Sequence, residues 1–184
     1  AHVAREDRAI FLNLLHAAEV ACDDHLKRIL RTPKGELVID REKAILWAEK
    51  NYSIALSPEQ RLAIHTSVDA KVLVVTGGPG TGKTTLINCL IGIYEKKGLA
   101  IRLAAPTGRA AKRMESATDR EAKTIHRLLE FSPKQGTFLK DENNPIDTDL
   151  IVLDECSMID LQLMHSLLRA VPAHARLFLV GDVD

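Results

Sequence analysis

The run Gly77-Gly78-Pro79-Gly80-Thr81-Gly82-Lys83-Thr84-Thr85 puts one ammonium and several hydroxyls on a backbone that carries few side chains. It follows the apolar stretch Val72-Leu73-Val74-Val75 and leads into a helical pattern from Lys83 to Lys97. Gly77 to Thr84 fits G-x-x-x-x-G-K-[ST], and the strand–loop–helix context on which that motif depends is present. Glycines let such a loop take positive φ and bring successive N–H groups to phosphate oxygens. The helix start adds unpaired amides and the positive end of its dipole. The chemistry implied is capture of the terminal phosphates of a nucleoside triphosphate. Lys83 is expected at the β- and γ-phosphates and the Thr84 hydroxyl on Mg²⁺. An ordinary glycine-rich turn is the plain alternative, and the agreement of motif and flanks argues against it.

A second group lies at Leu150-Ile151-Val152-Leu153-Asp154-Glu155, an apolar strand ending in two acids. Phosphoryl transfer from a loop-bound triphosphate needs one carboxylate for Mg²⁺ and a group beside it to orient water. Asp154 suits the first role and Glu155 the second, so Lys83, Asp154 and Glu155 form the expected catalytic set. An acid pair that merely caps the following helix is the competing reading, and the intact loop upstream favours catalysis.

Gln60 has two readings. In Ser57-Pro58-Glu59-Gln60 it is the third helical residue of a capping box, with Ser57 as N-cap and Pro58 at the first helical position. Its amide could also donate to and accept from an adenine edge. Residue types alone favour the cap.

The elements that must position these groups follow from the pattern. Apolar positions Ile10, Leu14, Ala17, Ala18, Ala21, Leu26, Ile29 and Leu30 predict a helix from Arg5 to Leu30. Thr32-Pro33-Lys34-Gly35 breaks it, Glu36–Ile39 reads as a short strand, and Asp40 caps a helix to about Lys50. Residues 1–55 thus read as a mainly helical accessory segment, with Trp47 a packing residue. From residue 56 to 184, strands at 72–76, 101–105, 150–154 and 176–180 alternate with helices at 83–97, 107–116, 124–131 and 161–171. That alternation predicts an α/β fold: a parallel sheet with helices on both faces, its ligands at the carboxyl ends of the strands. Phe131-Ser132-Pro133-Lys134-Gln135-Gly136-Thr137-Phe138 reads as a hairpin inserted near 131–146, turning at Gln135-Gly136.

Length, charge and cysteine use narrow the class. The 184 residues suffice for one core and a small appendage. No apolar run is long enough to span a bilayer, so no membrane partner is expected. Cys22, Cys89 and Cys156 are far apart and odd in number, which fits a reducing cytoplasm better than a disulfide framework or a metal cluster. Net charge is zero, yet Lys96, Lys97, Arg102, Arg109, Lys112 and Arg113 fall in a stretch with no acid. A solvated face explains that run as readily as a nucleic-acid contact does. The chain opens inside an apolar pattern and stops just past a strand that delivers Gly181-Asp182, as expected of a piece trimmed at both ends.

Together with Leu56–Arg61 and the glycine loop, the segments Ala104-Ala105-Pro106-Thr107-Gly108-Arg109-Ala110-Ala111-Lys112-Arg113, Thr124-Ile125-His126-Arg127, Leu153-Asp154-Glu155-Cys156-Ser157-Met158 and Val180-Gly181-Asp182 resemble the RecD-like helicases. These are superfamily 1 DNA helicases of the 5′→3′ class, which include the alpha subunit of exodeoxyribonuclease V. The resemblance spans roughly residues 56–184, and Pro106–Arg113 discriminates best because generic phosphate-loop proteins lack it. It implies the first RecA-like motor domain of a P-loop NTPase, with ATP and Mg²⁺ as cofactors and a cytoplasmic role in DNA repair or recombination. It further implies nucleotide contacts from Gln60, from Gly77 through Thr85 and from Asp182, with Thr84 and Asp154 on the metal. Gln60 becomes an adenine reader, reversing the preference for the cap.

The same resemblance implies single-stranded DNA contacts from Pro106, Thr107, Gly108, Arg109, Thr124 and His126, and a hairpin that parts duplex strands at a junction. An inert hairpin fits its residues equally well. The implied partners are single-stranded DNA, duplex junctions, a second RecA-like domain of the full-length chain and other subunits of a recombination nuclease complex. The family's glutamine shortly after Asp182 is missing, because the chain ends first. Two other functions compete: a non-translocating P-loop ATPase acting as a regulator or loader, and a small-molecule kinase. The residues after Thr84 offer a kinase no clear lid.

Overall fold

The computed structural model describes residues 3–6, 9–33, 35 and 37–182. In chain order the elements are β1 (Val3–Glu6), β2 (Ala9–Leu12), α1 (Asn13–Arg31), α2 (Arg41–Tyr52), α3 (Pro58–Asp69), β3 (Val72–Thr76), α4 (Lys83–Glu95), β4 (Ile101–Ala105), α5 (Gly108–Thr118), β5 (Ala122–Thr124), α6 (Ile125–Leu128), β6 (Phe131–Ser132), β7 (Thr137–Phe138), β8 (Leu150–Leu153), α7 (Leu161–Ala170) and β9 (Arg176–Gly181).

Five strands form one parallel sheet in the order β3-β9-β8-β4-β5. Period-two alternation sorts their side chains between two layers. Leu103, Val152, Phe178 and Val180 join Leu86, Leu90 and Ile64 in one core. Ala104, Ile151, Leu153 and Leu177 join Leu163, Leu167 and Ile125 in the other. Helices therefore cover both faces, as the predicted α/β fold requires. The N-terminal helices belong to these layers: Ile45 and Ala48 of α2 lie in the first core, and Cys22 and Ile29 of α1 in the second. Arg28 of α1 donates to the Leu168 and Val171 carbonyls at 2.9 and 2.8 Å, at the C-terminal end of α7.

The start of the chain differs from expectation. Residues 3–6 and 9–12 form the antiparallel pair β1–β2, and the first helix begins at Asn13. Ala9-Ile10-Phe11-Leu12 is a continuous apolar run, which suits an extended segment as well as a helix. The expected strand at Glu36–Ile39 is not formed: Glu36 lies outside the described residues, and 37–39 have no regular structure. β5 is a further addition, three residues without the apolar run that marks the other strands. It takes Thr124 out of the predicted helix at 124–131, which shrinks to α6. The caps at Asp40 and Ser57 form as read, Asp40 accepting from the Lys43 amide and Ser57 from that of Gln60.

Candidate functional site

Parallel strands in register bring their carboxyl ends to one edge. Thr76 pairs with Gly181, Leu153 with both Leu179 and Ala104, and Ala105 with Thr124. The glycine loop, Asp182, the acids Asp154-Glu155, the segment Pro106–Arg109 and Thr124 all follow directly from these ends. Residues spread over more than a hundred positions thus line one side of the sheet.

The loop from Gly77 to Gly82 bends as its sequence demands. Gly80 and Gly82 sit at φ +78° and +82°, where a side chain would be strained. The Gly77 amide continues the β3–β9 ladder by donating to the Gly181 carbonyl at 3.4 Å. Thr81 folds back, its hydroxyl donating to the Gly78 carbonyl at 2.8 Å. α4 then starts at Lys83, with its first backbone bond from Leu86 to Gly82 at 3.0 Å. The amides of Lys83, Thr84 and Thr85 consequently have no partner within the helix. Thr84 and Pro79 are exposed, and Thr85 is half-buried.

The Lys83 ammonium turns back over this loop. It donates to the Gly77 carbonyl, to the Gly78 carbonyl at 2.9 Å and to an Asp182 carboxylate oxygen at 2.7 Å. These oxygens stand where an anionic ligand would compete for the same proton donors. Beside the loop lies a cleft of about 550 Å³ between α3 and β3, bounded by Gln60, Ala63, Val74, Gly77, Gly82 and Lys83.

Gln60 touches both the α3 cap and the glycine loop. Its Oε1 accepts from the Ser57 amide at 2.9 Å, closing the capping box. Its Nε2 donates to the Gly82 carbonyl at 3.1 Å. A Cβ on Gly82 would come within 2.4 Å of that nitrogen, so this glycine also allows the close approach.

Asp154 is half-buried at the end of β8 and accepts from the Glu155 amide at 2.9 Å. Burial pushes its carboxyl above the usual carboxylate range, opposed by the nearby cations Arg113 and Lys83 and reinforced by Asp182. Glu155 adopts φ +57°, a left-handed conformation uncommon for a residue with a side chain. Its carboxylate forms an ion pair with Arg113 of α5. Gly181 passes against this turn, where a Cβ would meet the Cys156 and Ser157 amides at 3.2 Å. A hydroxyl on Thr84 and a carboxylate on Asp154 are the hard oxygen donors that Mg²⁺ takes, and they fit that ion.

On the neighbouring strand ends, the Thr107 hydroxyl caps α5 by accepting from the Ala110 amide at 3.2 Å. The Thr124 hydroxyl caps α6, accepting from the Arg127 amide at 3.2 Å. Gly108 and Arg109 are exposed and Pro106 is half-exposed. His126 stands apart from the cleft beside the glycine loop, in a ring cluster with Phe131 and Phe138 whose centroids are 5.3–5.9 Å apart. These phenylalanines come from the predicted hairpin, where β6 pairs with β7 and Gly136 turns at φ +65°.

Burial pushes the Cys89 thiol up to about 11 and Cys156 up to about 12, so neither is a thiolate at neutral pH. Among the described residues no helix is long and apolar enough to cross a membrane. The residue that sequence reading passed over is Arg113. It figured in a basic run and at the end of the segment Pro106–Arg113 with no role of its own, and nothing local signals that it meets Glu155, 42 positions away.

A glycine loop between strand and helix, with two acids at the end of a second parallel strand, defines a P-loop NTPase of the RecA-like α/β type. Residues 60–184 match the model of an AAA domain family. The chain is 39% identical over 175 residues to the ATP-dependent RecD2 DNA helicase of Deinococcus radiodurans, covering 95% of this chain and 24% of that protein. It is 42% identical over 149 residues to the RecBCD enzyme subunit RecD of Mycobacterium tuberculosis, covering 68% and 26%. The ATP-dependent DNA helicase dda of Enterobacteria phage T4 is 32% identical over 116 residues, covering 60% and 26%. The chain belongs to this AAA domain family and, within it, is a fragment of the RecD-like helicase type. It spans about a quarter of the length of these curated relatives.

Proposed function

We propose that this chain is the first motor domain of an ATP-dependent DNA helicase that binds Mg·ATP and single-stranded DNA and moves 5′→3′ in DNA repair or recombination. The observation that carries the reading is the shared sheet edge. The phosphate loop, the two acids and the segment Pro106–Arg109 leave β3, β8 and β4 at the same end of one parallel sheet, with β9 and its Asp182 between the first two and Thr124 in register beside Ala105.

In this reading the loop amides and Lys83 hold the terminal phosphates, and the ammonium exchanges its contact with Asp182 for phosphate oxygens. Gln60 trades the Gly82 carbonyl for the adenine edge. Thr84 and Asp154 would hold Mg²⁺, which neutralises charge developing on the phosphates. Glu155 orients the attacking water. Pro106–Arg109 and Thr124 meet backbone phosphates, contacts that are independent of sequence and weaken with salt, as a motor on any sequence needs. His126, ringed by phenylalanines, offers a base a stacking surface. The partners of the full-length protein are then single-stranded DNA, duplex junctions, a second RecA-like domain and, where it works in a complex, the other subunits of a recombination nuclease. Its place is the cytoplasm.

The test is ATP hydrolysis by the full-length protein with and without single-stranded DNA. Stimulation by DNA of any sequence, together with strand displacement from a 5′-tailed duplex, is the expected result. Bound ATP with no response to any DNA would overturn the motor reading in favour of a non-translocating regulator or loader.

A further inference from the structure

The ion pair between Arg113 and Glu155 joins two parts of the molecule that the proposed function keeps separate. Arg113 lies on α5, one helical turn beyond Arg109 and on the same stripe. The two positions are about 6 Å apart along the helix axis. The helix begins at the segment assigned to the DNA backbone. Glu155 is the acid assigned to the attacking water. The Arg113 side chain is 64% exposed and that of Glu155 only 23%, so the guanidinium reaches inward to the acid while most of it stays open to solvent.

We propose that Arg113 is a positioning residue that restrains Glu155 while DNA is absent and releases it when a DNA backbone phosphate takes the guanidinium. This rests on the motor reading above. A guanidinium binds carboxylate and phosphate through the same planar fork of N–H groups, so the two anions compete for it directly. A carboxylate held by Arg113 has an acceptor oxygen occupied and its rotamer fixed. It is poorly placed to orient water at the γ-phosphate. DNA seated at the start of α5 brings a phosphate within reach of Arg109 and Arg113 together, and the exposed side of the guanidinium is free to meet it. Exchange of one ion pair for another then frees Glu155. In this way the strand-binding helix signals occupancy to the hydrolytic site through a single side chain. The left-handed backbone at Glu155 sets the carboxylate on the α5 side of β8, where Arg113 can reach it.

The experiment compares ATP turnover by the full-length wild-type protein and its Arg113→Ala and Arg113→Lys variants, each without DNA and with saturating oligo(dT). Arg113→Ala is expected to raise the DNA-free rate about fivefold, the factor that ~1 kcal/mol of ion pair corresponds to. Its DNA-saturated rate should stay within about twofold of wild type, so the stimulation ratio falls. Arg113→Lys keeps a charge and should hold the DNA-free rate near wild type. A misfolded variant loses rate in both conditions and cannot gain it in one, so a structural role does not imitate this pattern. A DNA-free rate that is unchanged or lower in Arg113→Ala, beside normal stimulation of the wild type, overturns the restraint and leaves the motor reading intact. A wild type that DNA does not stimulate overturns both, and shows in the wild-type measurements alone.

Discussion

The Lys83 ammonium lies 2.7 Å from the Asp182 carboxylate, joining the loop after β3 to the end of β9 across 99 positions of sequence. The contact exists because β9 lies directly beside β3, so the two strand ends leave the sheet together. Any triphosphate held by the loop must draw this ammonium away from Asp182 and from the Gly77 and Gly78 carbonyls. Replacing Lys83 by Ala should weaken Mg·ATP binding about 10- to 100-fold, from the ~1.5–3 kcal/mol that charge-assisted hydrogen bonds contribute. The melting temperature should move by no more than about 4 °C, since the side chain is not in either core. Titration with a fluorescent ATP analogue measures the first quantity and thermal unfolding the second. Unchanged affinity would count against the loop as the phosphate site.

Two loop glycines should behave differently. Gly82 combines φ +82° with a close approach to Gln60, so Gly82→Ala should cost about 1–2 kcal/mol of stability from backbone strain alone. Gly78 has ordinary φ and open space around its would-be Cβ, so Gly78→Ala should stay within about 0.5 kcal/mol. Urea unfolding of the two variants decides the matter, and equal destabilisation would refute the local account.

Arg109 is exposed on the first turn of α5 and makes no ion pair among the described residues. In the full-length protein, Arg109→Ala should weaken single-stranded DNA binding and lower the salt slope by about 0.7, because one phosphate fewer is neutralised. ATP affinity should not change. Fluorescence anisotropy at several salt concentrations reads the slope, and an unaltered slope removes Arg109 from the DNA interface.

Arg176 ties together the elements that carry Gln60 and Asp182. It is buried on β9 and donates to the Ser67, Val68 and Ala70 carbonyls at 3.2, 3.3 and 2.7 Å, at the C-terminal end of α3. These are carbonyls a helix cannot satisfy for itself. Arg176→Met removes the donor to the Ala70 carbonyl, while the Ser67 carbonyl keeps the Tyr94 hydroxyl at 2.7 Å, at a cost of about 1–3 kcal/mol. The variant should unfold at lower urea. Full retention of stability would mean that solvent replaces the guanidinium.

Acid should loosen the α1–α7 junction. The His25 ring stacks on His165 at 5.6 Å, and its pKa is held below the ordinary 6.5. Burial is the main cause, followed by the positive charge of Arg28 and the ring of His165. Arg169 acts in the same direction, while Glu142 opposes it. A histidine with a depressed pKa takes its proton more readily in the unfolded chain. Its contribution is therefore intact at neutral pH and fades as pH falls through the normal histidine range. Melting curves between pH 7.5 and 5.5 should show a smaller decline for His25→Gln than for wild type. Parallel curves would show that other groups govern the acid response.

The loop glycines, the Ser57 and Asp40 caps and the apolar strands were all legible in the sequence, because each depends on neighbours a few residues away. The Ser57-Pro58 cap likewise revealed α3, the strand–loop–helix motif α4, and the apolar pattern of residues 161–171 α7. The same local rules misread residues 5–6 and 9–12 as part of a helix. They also missed β5, whose Ala122-Lys123-Thr124 forms a strand only because β4 offers it an open edge.

Residue order alone was thus enough to say which groups could cradle a phosphate and which strand would carry the acids. It took the assembled sheet to rest Lys83 on Asp182, to give Gln60 both a cap and the loop to serve, and to let Arg113 grip Glu155. The same assembly makes α1 and α2 complete the two layers instead of standing apart. Those outcomes depend on strand order and on which helix lies over which strand. Side chains distant in sequence meet only once the whole sheet has formed, and short-range spacing carries no record of such meetings.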